Sequence, residues 1–209
     1  IEVSGKTFHI NYVSKYLKKN KIKFIKIREP GGTQNSENIR KLILNNKSKF
    51  NKNSDLLLYL ASRSENIEFL KKNYKKKVIL IDRFTDSTIA YQHYGLGVKL
   101  SIINHINKYL LGNFKIDFTF LNVVNQKNMV ERLKQRKKLN RYDKFKKKFY
   151  DKVQKGYIKI AKNPKKYQII NSNLNIELNK KSVIEKIEKL IKWVFIQLNN
   201  WIFTDYKKI

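Results

Sequence analysis

"VILIDRFTDSTIAYQ", residues 78–92, decides how this chain folds. Its first five residues form an apolar, β-branched run ending in Asp82, the pattern of a strand buried on both faces. Such a strand belongs to a mostly parallel sheet covered by helices, where ligands sit beyond the carboxyl ends of the strands. Asp82 and Arg83 fall at such an end. A carboxylate there can hold Mg²⁺, directly or through water, and a guanidinium can clamp a phosphate. The same two residues also fit a surface ion pair. Tyr91 and Gln92 follow, offering a ring and an amide that both donates and accepts.

Outward from this stretch, strands and helices alternate. "KFIKI" (23–27), "DFTFLNV" (117–123) and "YQIIN" (167–171) read as further strands. "NSENIRKLIL" (35–44), "DLLLYLASRSENIEFLKKNY" (55–74) and "LSIINHINKYLL" (100–111) have helical spacing, with Ser54 available as an N-cap. Lys-rich helical sequence runs from 128 to 163. "SVIEKIEKLIKWVFIQL" (182–198) closes as an amphipathic helix, with Ser182 and Glu185 spaced as a capping box. No repeat or Gly/Ser/Pro linker interrupts the pattern, so one domain over 1–209 is expected. Trp193, Phe195, Trp201 and Phe203 fit packing on the sheet or on a second subunit, and also a membrane-surface or partner-binding face.

The composition narrows the function. The net charge is +31, yet only seven of the 47 basic residues are arginine, at 28, 40, 63, 83, 132, 136 and 141. Lysine coats surfaces readily, whereas a planar, two-donor grip on a phosphate or carbonyl needs arginine. The lysines are spread through nearly every segment and the aromatics sit inside apolar runs. A solvated lysine surface is therefore favoured over a nucleic-acid-binding face, which remains the alternative. The chain has no cysteine, which excludes disulfides and thiolate metal sites and fits the cytoplasm. It shows neither a long apolar run nor a basic-then-apolar leader, so neither a membrane span nor a signal peptide is expected.

Three further stretches carry chemistry. "SGKT" (4–7) ends like a P-loop, in which Gly5, Lys6 and Thr7 would cradle phosphates and hold Mg²⁺. "REPGGT" (28–33) places Pro30, Gly31 and Gly32 between a strand and a helix, in a chain with seven Gly and two Pro. Glycines there let backbone approach a ligand closely, with Arg28 and Arg40 bracketing an anion. In "LLLYLASR" (56–63), Tyr59 and Arg63 lie four residues apart on one helix face. A stacking ring beside a donor suits a nucleobase; a core tyrosine with a surface arginine has the same spacing.

Together, "REPGGT", "LLLYLASR", "DRFTDSTIAYQ" (82–92) and "DKVQKGYIKIA" (151–161) resemble the bacterial thymidylate kinase family in order and spacing. The resemblance runs from residue 1 to about 195, and "NRYDKF" (140–145) is similar to the family's lid segment, usually DRFE. It implies a three-layer α/β P-loop NTPase fold with a mostly parallel five-stranded sheet, and a helical lid over about 132–148. It implies transfer of the γ-phosphoryl group of MgATP to dTMP, giving dTDP, by a cytoplasmic homodimer. The residues implied are Arg40 and Arg83 for the dTMP phosphate, and Tyr59, Arg63 and Gln92 for the thymine. Tyr91 would lie under the deoxyribose and Glu29 near the sugar and phosphate. Asp82 and Thr7 would assist Mg²⁺, Gly5 and Lys6 would hold ATP, and Arg136 and Arg141, with Arg132 as a further candidate, would reach over ATP.

Two departures bear on this expectation. The family loop reads roughly E-G-x-D-G-x-G-K-T, while this chain has "EVSGKT" (2–7), without the first glycine. Residues omitted ahead of the loop would account for it; a catalytically impaired nucleotide binder is the alternative. In the lid, Asn140 and Asp143 stand where the family has Asp and Glu, which questions any role for those carboxylates.

Overall fold

The computed structural model describes residues 4–136 and 139–205, with side chains in the last helix described as far as Lys192. The chain opens with helix α1 (Lys6–Lys19), strand β1 (Phe24–Arg28), and helices α2 (Gln34–Leu44) and α3 (Lys52–Asn73). Strand β2 (Val78–Asp82) leads into a short helix α4 (Thr85–Thr88), which continues as a π-helical stretch, Ile89–Gly95. Then come α5 (Leu100–Leu111), β3 (Thr119–Val123), α6 (Gln126–Lys134) and a 3₁₀ turn, Arg141–Lys144. Helix α7 (Lys147–Ile160), strand β4 (Tyr167–Asn171) and α8 (Ile176–Asp205) complete the order.

All strand pairing is parallel, but the described strands form two pairs instead of the expected five-stranded sheet. β1 lies beside β2, with Arg28 opposite Asp82, and β3 lies beside β4, with Val123 opposite Asn171. A fifth strand was expected ahead of Gly5, and residues 1–3 lie outside the described residues. β2 is half-buried along its whole length, not enclosed on both faces as its apolar run led one to expect. One apolar cluster nevertheless joins the pairs: Phe24, Val78 and Leu80 meet Phe120 and Ile170 beneath Val13 and Leu17 of α1 and Val183 and Ile187 of α8. Burying such side chains drives the assembly at about 25 cal/mol per Å² of apolar surface removed from water.

Local sequence explains where elements begin. α3 starts before Ser54, because Asn51 caps it by accepting from the N–H groups of Asn53 and Ser54 at 2.9 and 3.0 Å. α8 starts before the Ser182–Glu185 pair, with Asn175 Oδ1 accepting from the Glu177 N–H at 2.7 Å. Ser182 instead accepts a bond from Gln168 of β4 at 2.6 Å. The expected helical lid is broken: α6 ends at Lys134 and α7 begins at Lys147, with the 3₁₀ turn between. Asn140 accepts from the Tyr142 N–H at 2.8 Å, and Asp143 accepts from the Asn140 N–H at 2.8 Å. This capping box explains the two lid departures, since Asn and Asp supply the same acceptors as Asp and Glu would. The side chains of Trp193, Phe195, Trp201 and Phe203 lie outside the described residues. No helix among the described residues is long and apolar enough to cross a membrane.

Candidate active site

The carboxyl ends of β1 and β2 carry the two motifs that flank the cleft. After β1 the chain turns through Glu29, Pro30, Gly31 and Gly32. The Gly31 N–H donates to Ser36 and Ser62 hydroxyls at 3.1 Å, and the Gly32 N–H donates to Glu37 Oε1 at 2.9 Å. Both glycines have positive φ, 111° and 120°, and a side chain on Gly31 would come 2.9 Å from Arg40 Cδ. Only glycine fits such a turn. The turn's Pro30 carbonyl accepts from Arg40 at 2.6 Å, so loop and α2 hold each other.

After β2, Arg83 sits in the left-handed region at φ 66°, which costs a non-glycine residue about 1 kcal/mol or more. Its guanidinium donates to the Tyr91 hydroxyl at 3.3 Å and lies over the ring. The π-helical stretch carries Tyr91 and Gln92, both buried, to the same place; such stretches are frequent at functional sites.

These residues converge. A cavity of about 70 Å³ is lined by Arg40, Arg83 and Arg136, by Tyr59, Tyr91, Gln92 and Tyr142, and by Pro30. Three arginines line it and no Asp or Glu does. Burial, and then the like charges of Arg28 and Arg83, hold the Arg40 guanidinium below its ordinary value. An anion between Arg40 and Arg83 would relieve that repulsion.

Other expected residues are placed elsewhere. Arg63 does not line the cavity. It is buried, donating to Glu29 Oε2 at 2.7 and 2.9 Å, to Asn107 at 2.7 Å and to Thr88 at 3.1 Å. Glu29 turns inward to meet it, so the two residues expected at the base and the sugar engage each other here and neither lines the cavity. The reason is electrostatic: each buried charge satisfies the other. Burial pushes the Glu29 carboxyl up, against the charge and hydrogen bonds of Arg63.

Arg141, expected over ATP, is ion-paired to Asp55 of α3 and donates to the Ile43 carbonyl at 3.1 Å. Arg136 lines the cavity and is held by Asp143 at 2.7 Å. Arg132 donates to the Ser172 carbonyl at 2.8 Å, and Arg28 is exposed and paired with Glu37 at 3.1 Å.

Gly5, Lys6 and Thr7 do not line this cavity. Gly5, at φ 83°, caps α1, whose first residues are Lys6 and the exposed Thr7. This loop is tied to the other strand pair: Ser172, just after β4, donates to the Ser4 carbonyl at 2.7 Å. Asp82 lies at the end of β2, and its Oδ1 is buried with no partner among the described residues. No cluster of three His, Cys, Asp or Glu able to hold a metal exists among them. A lone buried carboxylate oxygen fits Mg²⁺ carried in with phosphates and mostly hydrated, as that ion prefers.

Two residues of the site escaped the sequence. Asp55 of α3 is 1% exposed and collects Arg141, the Tyr142 hydroxyl and the Gln92 amide. Tyr142 is buried edge-on against Tyr59 and Tyr91, with ring centroids 6.0 and 5.8 Å apart. Burial, followed by the nearby Tyr59 and Asp55, raises its hydroxyl pKa, so it is a neutral donor.

With this geometry in hand, the thymidylate kinase family profile matches residues 1–183. The chain belongs to the thymidylate kinase family. A thymidylate kinase from Thermosipho africanus is 37% identical over 191 residues, covering 89% of this chain and 94% of its own. One from Kosmotoga olearia is 31% identical over 195 residues, covering 92% and 94%. The crystal structure of a thymidylate kinase from Ehrlichia chaffeensis superposes with a TM-score of 0.71 at 30% identity, covering 90% of this chain and 94% of that one. Thymidylate kinases are nucleoside monophosphate kinases, transferases that move a phosphoryl group onto dTMP.

Proposed function

We propose that the Arg40–Arg83–Gln92 cavity is the dTMP pocket of this thymidylate kinase and that the Gly5–Thr7 loop across the strand ends holds ATP. The observation that carries the assignment is the lining itself: three guanidinium groups, no carboxylate, and three tyrosine rings beside a buried amide. Arg40 and Arg83 grip the 5′-phosphate, Tyr59 and Tyr91 bracket base and sugar, and Gln92 reads the base edge. Arg136 lies on the cavity wall toward the phosphates.

The chemistry is positioning and neutralisation. Two anions must be brought together, and guanidinium groups fixed beforehand offset charge as it shifts in the transition state. Lys6 at the start of α1 adds a cation beside helix N–H groups, which favour phosphate. Thr7 and Asp82 would hold Mg²⁺, whose contribution is to neutralise phosphate oxygens and orient them. The cavity of about 70 Å³ is well below the few hundred Å³ typical of small-ligand pockets. Tyr142 forms one wall, so dTMP enters as the Tyr142 side chain turns aside while Arg141 stays paired with Asp55.

Association of two copies, which the family resemblance implies, has support in apolar side chains left exposed on neighbouring helices. They are Leu57 and Phe69 of α3, and Ile102 and Tyr109 of α5; light scattering on the purified chain measures the state.

The deciding experiment is dTMP-dependent consumption of MgATP by the full chain. Saturable turnover supports the assignment. Saturable dTMP binding without turnover would point to the impaired reading that the short loop before Gly5 raises. Tight, salt-sensitive DNA binding with no dTMP affinity would overturn both.

A further inference from the structure

We propose that Asp55 is a positioning residue that fixes which end of the Gln92 amide faces the nucleobase, and thereby selects a pyrimidine whose ring N3 carries hydrogen. The inference rests on reading the cavity as the dTMP pocket.

Gln92 lines the cavity and is 0% exposed. Its Nε2 donates to Asp55 Oδ2 at 3.1 Å and lies 3.4 Å from the Tyr142 hydroxyl. Its Oε1 is buried with no partner among the described residues. An amide can be turned either way, and its neighbours decide which. Here Asp55 decides. Its Oδ1 is ion-paired to Arg141 and its Oδ2 also accepts a hydrogen bond from the Tyr142 hydroxyl, so the carboxylate only accepts. The amide must turn its NH₂ toward Asp55, which leaves the carbonyl for the ligand.

A buried acceptor without a partner is rare and calls for a donor. Thymine and uracil offer one, the N3–H. Cytosine presents a lone pair at N3, which would face the Gln92 carbonyl acceptor to acceptor. Selectivity of this kind comes from leaving the wrong ligand with a mispaired buried group.

Asp55→Asn supplies the test. Arg141 still requires an oxygen, so the new NH₂ takes the place of Oδ2 and donates. Gln92 then turns its carbonyl to residue 55 and offers Nε2 to the cavity. The wild type and D55N are compared with dTMP and dCMP, by kcat/KM and by calorimetric binding. The ratio of dTMP to dCMP is expected to fall at least about tenfold in D55N. General damage to the fold lowers both nucleotides together and leaves the ratio unmoved, and an unmoved ratio in a dTMP-selective protein overturns this inference alone. A wild type that binds neither nucleotide overturns the pocket reading and this inference with it. Should D55N not fold, Asp55→Ala frees the amide to take both orientations. The binding ratio is again expected to fall, and an unchanged one is fatal to the proposal.

Discussion

The guanidinium of Arg63 meets the carboxylate of Glu29 at 2.7 Å, with 1% and 4% of the two side chains exposed. This pair nails the Pro30–Gly32 turn onto α3, and Asn66 adds a 2.8 Å bond to the Gly31 carbonyl. Truncating one partner strands the other charge in the interior. Arg63→Ala is therefore expected to lower stability by about 3–5 kcal/mol, read by chemical denaturation. Replacing both Arg63 and Glu29 by apolar residues of similar size should recover much of that loss. If Arg63→Ala instead leaves stability intact and weakens only dTMP, the arginine acts on substrate and not on the turn.

Arg40 and Arg83 make the opposite prediction. Both line the cavity, and neither is sealed in the interior as Arg63 is. Arg40→Ala is expected to raise the KM for dTMP roughly 10- to 100-fold, the worth of one or two charge-assisted hydrogen bonds. The KM for ATP should barely move. Equal losses for both nucleotides would place Arg40 in general architecture. Arg40→Lys should recover only part of the deficit, because an ammonium cannot give two parallel donors.

These contrasts show what the sequence made legible. The "VILID" and "YQIIN" stretches marked β2 and β4 to the residue, the first as a continuous apolar run and the second as a short one around Ile169 and Ile170. The convergence of Arg40, Tyr59, Arg83, Tyr91 and Gln92 was also expected, each from a motif at a strand or helix end. Spacing could not reveal that Arg63 and Glu29, 34 positions apart, spend their charges on each other. Asp55 was hidden for a related reason. At the polar start of a helix an acid looks like a dipole partner, and nothing local says that three groups from elsewhere converge on it. The five-stranded sheet is not seen among the described residues, whose strands form two parallel pairs.

Tyr142 gives the third prediction. Its ring lies against Tyr59 and Tyr91 and its hydroxyl on Asp55, inside the cavity proposed for dTMP. A pocket that must first expel its own side chain loses apparent affinity in proportion to the closed population. Tyr142→Ala is expected to tighten dTMP binding several-fold by calorimetry, while removing a buried aromatic costs about 3 kcal/mol or more of stability. Weaker binding in a folded Y142A would make Tyr142 a ligand contact instead.

Glu37 sets the pH dependence of the turn. Partial burial raises its carboxyl, but hydrogen bonds from Arg28 and the Gly32 N–H, with the charge of Arg28, outweigh this and hold it below its ordinary 4.5. A depressed value means the folded state favours the charged form. Glu37 therefore stabilises the protein above pH 4.5, and the contribution drains away as pH falls through the lower folded value. Glu37→Gln should be less stable than the wild type near pH 7, by under about 1 kcal/mol because the pair is partly solvated. The two proteins should converge in acid. Denaturation midpoints taken from pH 7 to pH 3 measure the gap, and one that widens on acidification would mean the Arg28–Glu37–Gly32 contacts do not stabilise the charged carboxylate.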